Sequence, residues 1–174
     1  MRDLISIDLF AGVEKTIRNG ISQLMEQGQR ISIISDANLL GALSIAPLEA
    51  SLIDSNLPYR RRIGKIDNAV PRYSIIIHNI GDARGVSWDN EKKVLSISET
   101  LSPALSGHLG DDKIGPLTTV AMCHSIAQLI SPSGVLVRKI RPWSISGNWI
   151  HACMDMTYAV SYTHLRAHET DSYL

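Results

Sequence analysis

Residues 31–63, ISIISDANLLGALSIAPLEASLIDSNLPYRRRI, limit the fold more than any other stretch of the chain. A short apolar run is followed by a polar turn with a glycine, a helix-length segment and a second strand-like run. Ile31 to Ile34 reads as a short buried strand, since an unbroken apolar run of this length suits a strand covered on both faces. Ser44 is placed to cap a helix running to about Asn56, with Pro47 tolerated in its first turn. Tyr59 to Ile63 reads as the next strand.

The rest of the chain continues the alternation. Leu9, Val13, Ile17, Ile21 and Leu24 recur at spacings of three or four, which predicts an amphipathic helix over 9–28 with Gly28 as its stop. Tyr73 to Ile77 is a third apolar run. Val94 to Ile97 is a fourth strand after a turn at Asp89-Asn90. Gly115-Pro116 opens a helix over 116–130, with Leu117, Val120, Ala121, Ile126, Ala127 and Ile130 inward, and Ser131-Pro132-Ser133-Gly134 ends it. Val135 to Ile140 reads as another strand. Short apolar strands alternating with helices imply an α/β fold, a mostly parallel sheet flanked by helices.

A chain of 174 residues suffices for one domain with a core, expected over 1–160. Lys+Arg and Asp+Glu both number 17, so net charge favours neither nucleic acid nor a membrane as partner. No apolar run approaches the roughly 20 residues that span a bilayer. The start, MRDLISIDLF, carries acids inside its apolar stretch, which argues against a signal peptide. Cys123 and Cys153 form no CxxC and no metal pattern, so the expectation is a cytoplasmic protein with two buried, reduced thiols. From Ser161 the chain reads SYTHLRAHETDSYL, which resembles translated sequencing-adapter read-through at the end of a truncated metagenomic reading frame. His164 and His168 are four apart beside Glu169, a spacing that mimics a metal pair on a helix. An artefactual tail at 161–174, on a domain incomplete at its C-terminus, accounts for them better.

Ligands of α/β sheets gather at the carboxyl ends of the strands. Three such ends carry polar residues: Ser35 to Gly41, His78 to Asp82, and Ser98 to Thr100. A two-metal phosphodiesterase would place Asp and His there, because two hard cations need several charged oxygens to hold them and to activate a water.

The order helix, SxxxDADG-type turn, helix and tyrosine-bearing second strand resembles the DHH phosphoesterase family, in its RecJ-like branch. Ser35 and Gly41 match that pattern. The two aspartates of the DxD motif fall on Asn38 and Leu40. The Asp that closes a strand in the second motif falls on Asn79, followed by a matching Gly81. The name-giving Asp-His-His falls on Ser98, Glu99 and Thr100, and a fourth-motif Asp falls on Asp155. Leu40 offers no ligand atom, and the neutral oxygens of Asn38 and Asn79 hold a divalent cation far less well than carboxylate. Ser98 and Thr100 are weak ligands, and Glu99 is the one acid left in the central motif.

The resemblance therefore implies a DHH-like domain with a degenerate site, no metal and no cofactor. The branch includes the cell-division-cycle-45 protein of the eukaryotic replicative helicase, a RecJ relative without nuclease activity, and archaeal counterparts that associate with GINS and the MCM ring. By that resemblance the chain is a catalytically inactive scaffold of an archaeal DNA replication complex, with GINS, MCM and single-stranded DNA as partners. Two alternatives stay open. One is an active DHH-type exonuclease or phosphoesterase that uses Mn²⁺ through Asp155, Glu99 or Asp36. The other is an unrelated α/β binding domain whose strand-end polar residues cap turns.

Other residues have two readings each. Arg60-Arg61-Arg62, with Lys65, is the one concentrated basic run. It suits contact with nucleic-acid phosphates, and equally a solvated edge that discourages sheet pairing. His78 suits a ligand or a hydrogen-bonded strand end, and His124 a satisfied core or boundary position. His108 with Asp111 and Asp112 suits a cation, or acids set before a helix start. Trp143 and Trp149 suit a partner-binding patch or core aromatics. Gly81 to Gly85 lacks the lysine of a P-loop, and no GxGxxG occurs.

Overall fold

The computed structural model describes residues 3–26, 28–66, 69–79, 84–103 and 114–150. Strand β1 (Ile31–Ser35) is buried at every position, as suits a central parallel strand with both faces covered and a neighbour on each edge. β2 (Tyr59–Ile63) and β3 (Ser74–His78) supply them, both parallel, so that Ile33 lies opposite Arg61 on one side and Ile75 on the other. β4 (Val86–Asp89) turns back through an Asp89-centred loop, whose carboxylate accepts from the N–H groups of Glu91 and Lys92 at 2.9 and 3.0 Å. β5 (Val94–Ser98) then pairs parallel to β3 and antiparallel to β4. The sheet order is β2-β1-β3-β5-β4, an α/β sheet that is mostly parallel. β6 (Thr100–Pro103) and β7 (Ile114–Leu117) form a separate antiparallel pair.

Helix α1 (Glu14–Glu26) starts later than the apolar spacing predicts. Two 3-10 turns, Leu4–Ser6 and Asp8–Phe10, precede it and bury Leu4, Ile5, Leu9 and Phe10. Tight turns tuck in more apolar side chains here than the single stripe of a straight helix would. Gly28 ends the segment at φ +58, a conformation glycine adopts without strain.

Helix α2 (Leu39–Asp54) starts five residues before the expected Ser44. Asn38 is its cap, accepting from the Gly41 N–H at 2.7 Å, and Ser44 is buried inside the helix. Pro47 consequently lies mid-helix rather than in the first turn. An interior proline costs about 3 kcal/mol in an isolated helix. α2 tolerates it because packing against β1, β2, α3 (Thr119–Ile130) and α4 (Val135–Ile140) holds the helix in place.

α3 is buried at eleven of its twelve positions and is capped by Thr118. The expected start at Gly115-Pro116 belongs to β7 instead, since a proline suits a strand with one open edge as readily as a helix's first turn. Val135 to Ile140 is helix α4, not a strand. The Asp54 carboxylate reaches over from α2 and accepts from the N–H groups of Leu136 and Val137 at 3.2 and 3.0 Å, capping it from outside. Helix α5 (Ser146–Ile150) follows a 3-10 turn at Arg141–Ile145.

One face of the sheet carries the main core. Ile33, Ile75, Ile77, Leu95 and Ile97 share a cluster with Ile17 and Ile21 of α1, Leu48 and Leu52 of α2, and Met122 and Ile126 of α3. The alternate residues Ser32, Ile34, Ser74 and Ile76 are buried but stand outside that cluster. The three longer helices thus pack on the same side. No described helix is long and apolar enough to cross a membrane.

Candidate functional site

The chain leaves β1 for β2 on one side and reaches β3 on the other, so the topology reverses between β1 and β3. The carboxyl ends of those strands are where such a sheet binds ligands. β1 ends at Ser35, followed by Asp36, and β3 ends at His78, followed by Asn79.

These residues are joined directly. The Asn79 backbone N–H donates to Asp36 Oδ2 at 3.0 Å, and its Nδ2 donates to Ser35 Oγ at 3.2 Å. The Thr119 hydroxyl donates to Asn79 Oδ1 at 2.5 Å, and the Ser44 hydroxyl donates to Thr119 Oγ1 at 3.2 Å. One chain of hydrogen bonds therefore runs from α2 through the first residue of α3 to β3 and β1. Ser35, Ser44 and Thr119 are buried, and buried polar groups need such partners.

Gly41 belongs to the same joint. A Cβ there would run into the Asp36 carbonyl oxygen and the Ser35 hydroxyl, and would sit 3.2 Å from Asn38 Oδ1. The absence of a side chain lets α2 start directly against the end of β1.

The positions that the DHH resemblance assigns to metal ligands are distributed along this edge. Asn38 lies after β1, Asn79 after β3, and Ser98 at the end of β5, opposite His78 in register. Asn38 Oδ1 is occupied by the Gly41 N–H and Asn79 Oδ1 by the Thr119 hydroxyl. Ser98 uses its hydroxyl on the chain entering β4, donating to the Gly85 carbonyl at 2.9 Å and accepting from the Arg84 N–H at 3.0 Å. Leu40 is a half-buried residue in the first turn of α2. Glu99 is half-buried between β5 and β6, and Thr100 starts β6, off the main sheet.

This donor set does not fit a two-metal centre. The amide and hydroxyl oxygens of Asn38, Asn79 and Ser98 are neutral and engaged, and Asp36 Oδ2 already accepts from Asn79. Among the described residues, no group of three His, Cys, Asp or Glu is placed to hold a metal ion. Asp155, Cys153, Gly81, Asp82, His108, Asp111, Asp112, His164, His168 and the 161–174 tail lie outside the described residues.

His78 is half-buried beside this joint. Burial pulls its imidazole below the ordinary range; the Asp36 carboxylate opposes that shift and Arg84 adds to it. His124 is buried in α3, at 4% exposure. Cys123 is a free, fully buried thiol whose ionisation burial pushes strongly upward, so it stays protonated and inert. Trp143 and Trp149 are 63% and 73% exposed, which removes the core-aromatic reading. On β2, Arg60 and Arg61 are exposed and Arg62 is half-buried, and Arg61 pairs with Glu49 of α2 at 3.1 Å.

Two residues of the joint carry no sequence signal. Ser44 reads as a cap and Thr119 as an ordinary helix residue, and their partners lie 75 and 40 positions away.

Together these features define an α/β protein with a hydrogen-bonded polar joint at its topological switch point. No family model matches the chain, and no curated protein and no solved structure matches it.

Proposed function

We propose that the chain is a catalytically inactive RecJ-like scaffold of an archaeal DNA replication complex, with GINS and the MCM ring as protein partners and single-stranded DNA as a further ligand. The observation that supports this most is Asn79. It occupies the second-motif position of the resemblance, at the end of β3, and its side chain ties Ser35 to Thr119. A group that closes a joint between strands and helices is committed to structure rather than to a cation or a nucleophilic water. Size-exclusion co-elution of the chain with archaeal GINS and MCM tests the proposal. A stable complex is expected, and separate elution of all components at micromolar concentration would count against it.

One observation favours the second reading, an active Mn²⁺-dependent phosphoesterase. Asp36 keeps a carboxylate at the switch point, close enough to His78 to influence its ionisation. Under that reading Asp36 would be the anchor of a single cation. Titration with Mn²⁺ followed by its electron paramagnetic resonance signal discriminates, since the scaffold leaves the signal that of the free ion.

A further inference from the structure

The outer edge of the sheet carries a chemistry distinct from that of the switch point. Among the described strands, β2 pairs with β1 alone. The Ile31 N–H donates to the Pro58 carbonyl and the Gly64 N–H to the Ser35 carbonyl. In parallel pairing this parity turns the N–H and C=O groups of Arg60 and Arg62 toward β1. Those of Tyr59, Arg61 and Ile63 point outward, where no described strand pairs with them.

The same edge concentrates positive charge. Arg60, Arg61, Arg62 and Lys65 fall within six positions of a chain whose overall net charge is zero. Glu49 pairs with Arg61, but the Arg61 side chain is 62% exposed, and an ion pair this open to water contributes little. Successive residues of a strand project to opposite faces, so Arg60 lies on one face of the sheet and Arg61 on the other. Tyr59 is half-buried and Ile63 is 47% exposed on the Arg61 face, flanking it with apolar surface.

This distribution separates the possible occupants. A nucleic-acid backbone lying along the protein meets cations on one face. An added strand has the same period of two and offers side chains to both faces, while its main chain bonds to the edge. A second copy of β2 brings like charges together, which sheet edges use to prevent self-pairing. An acidic strand meets no such repulsion.

We propose that the β2 edge accepts an extended, acidic segment of a partner protein as a sixth strand. Its main chain pairs with Tyr59, Arg61 and Ile63, and its carboxylates face Arg60, Arg61 and Lys65. The proposal stands apart from the reading of the switch point and holds whether or not that joint derives from a hydrolase.

The test is fluorescence anisotropy on the full chain with a labelled peptide, TVEEEVTV. Saturable binding is expected. Two variants should each weaken it at least tenfold. Arg60→Glu/Arg61→Gln removes the charge. Ile63→Pro removes one outward N–H while leaving the bonds to β1, a change edge strands tolerate. Unaltered melting temperatures would show that both variants fold. A peptide N-methylated on alternate amides should lose binding as well. No binding of the parent peptide overturns the proposal. Equal binding by the N-methylated peptide or by Ile63→Pro also overturns it, by showing attraction without strand addition. Binding of oligo-dT in place of the peptide, with the same dependence on Arg60 and Arg61, would assign the edge to nucleic acid instead.

Discussion

β1 and β2 lie side by side, parallel and in register over five pairs, yet they do opposite work. β1 is ISIIS and buried throughout, while β2 is YRRRI with Arg60, Arg61 and Ile63 exposed. The difference follows from position. A central strand covered on both faces has no route to water, and its side chains must be apolar or internally hydrogen-bonded. A strand with one free edge can carry charge, and gains protection against unwanted pairing by doing so. Polar atoms at the end of β1 are therefore drawn into the fold, while the outward main-chain groups of Tyr59, Arg61 and Ile63 on β2 pair with no described strand.

The largest expected effect is Ile33→Ala on β1, which empties a fully buried site and should cost about 4 kcal/mol of stability in urea denaturation. Ile63→Ala on β2 should change stability by no more than about 0.5 kcal/mol. Comparable losses would erase the contrast between the strands. Gly41→Ala should cost about 3 kcal/mol, because the added methyl meets the Asp36 carbonyl and the Ser35 hydroxyl. Asn79→Ala should cost about 2 kcal/mol, since it leaves the Ser35 and Thr119 hydroxyls without their shared partner. Asn38→Ala should cost about 1 kcal/mol through the lost cap.

The smallest effect is a pH dependence at His78. Its folded pKa lies below the ordinary 6.5, with burial as the first cause. The unfolded chain therefore binds the proton first as pH falls. This contribution to stability is full above 6.5 and is lost as pH drops from 6.5 toward the depressed folded value. His78→Gln should flatten that part of a plot of melting temperature against pH.

The same contrast explains what was legible in the sequence. β1, β3 and β5 announce themselves as apolar runs because central parallel strands are covered on both faces, and Tyr59 to Ile63 stands out between its turn signals. Helix starts were less legible. Asn38 and Ser44 are both good caps, and only the close approach of Gly41 to β1 decides for Asn38. Val135 to Ile140 has the length and composition of a strand, and becomes helical because Asp54, distant in sequence, caps it. β4, β6 and β7 are four residues each, too short for periodicity to mark them. The polar ends of β1, β3 and β5 were visible as candidate ligand positions. Their mutual bonds were not, since Asn79 finds Ser35 and Thr119 only once the sheet and α3 have packed.

The central claim is that the switch point is a structural joint and not a metal centre. The most direct measurement is hydrolysis of single-stranded DNA with and without Mn²⁺, on the chain and on Asp36→Asn. The joint predicts no metal-dependent cleavage by either protein. Mn²⁺-dependent cleavage by the chain that disappears in Asp36→Asn would contradict it and make this edge a catalytic site.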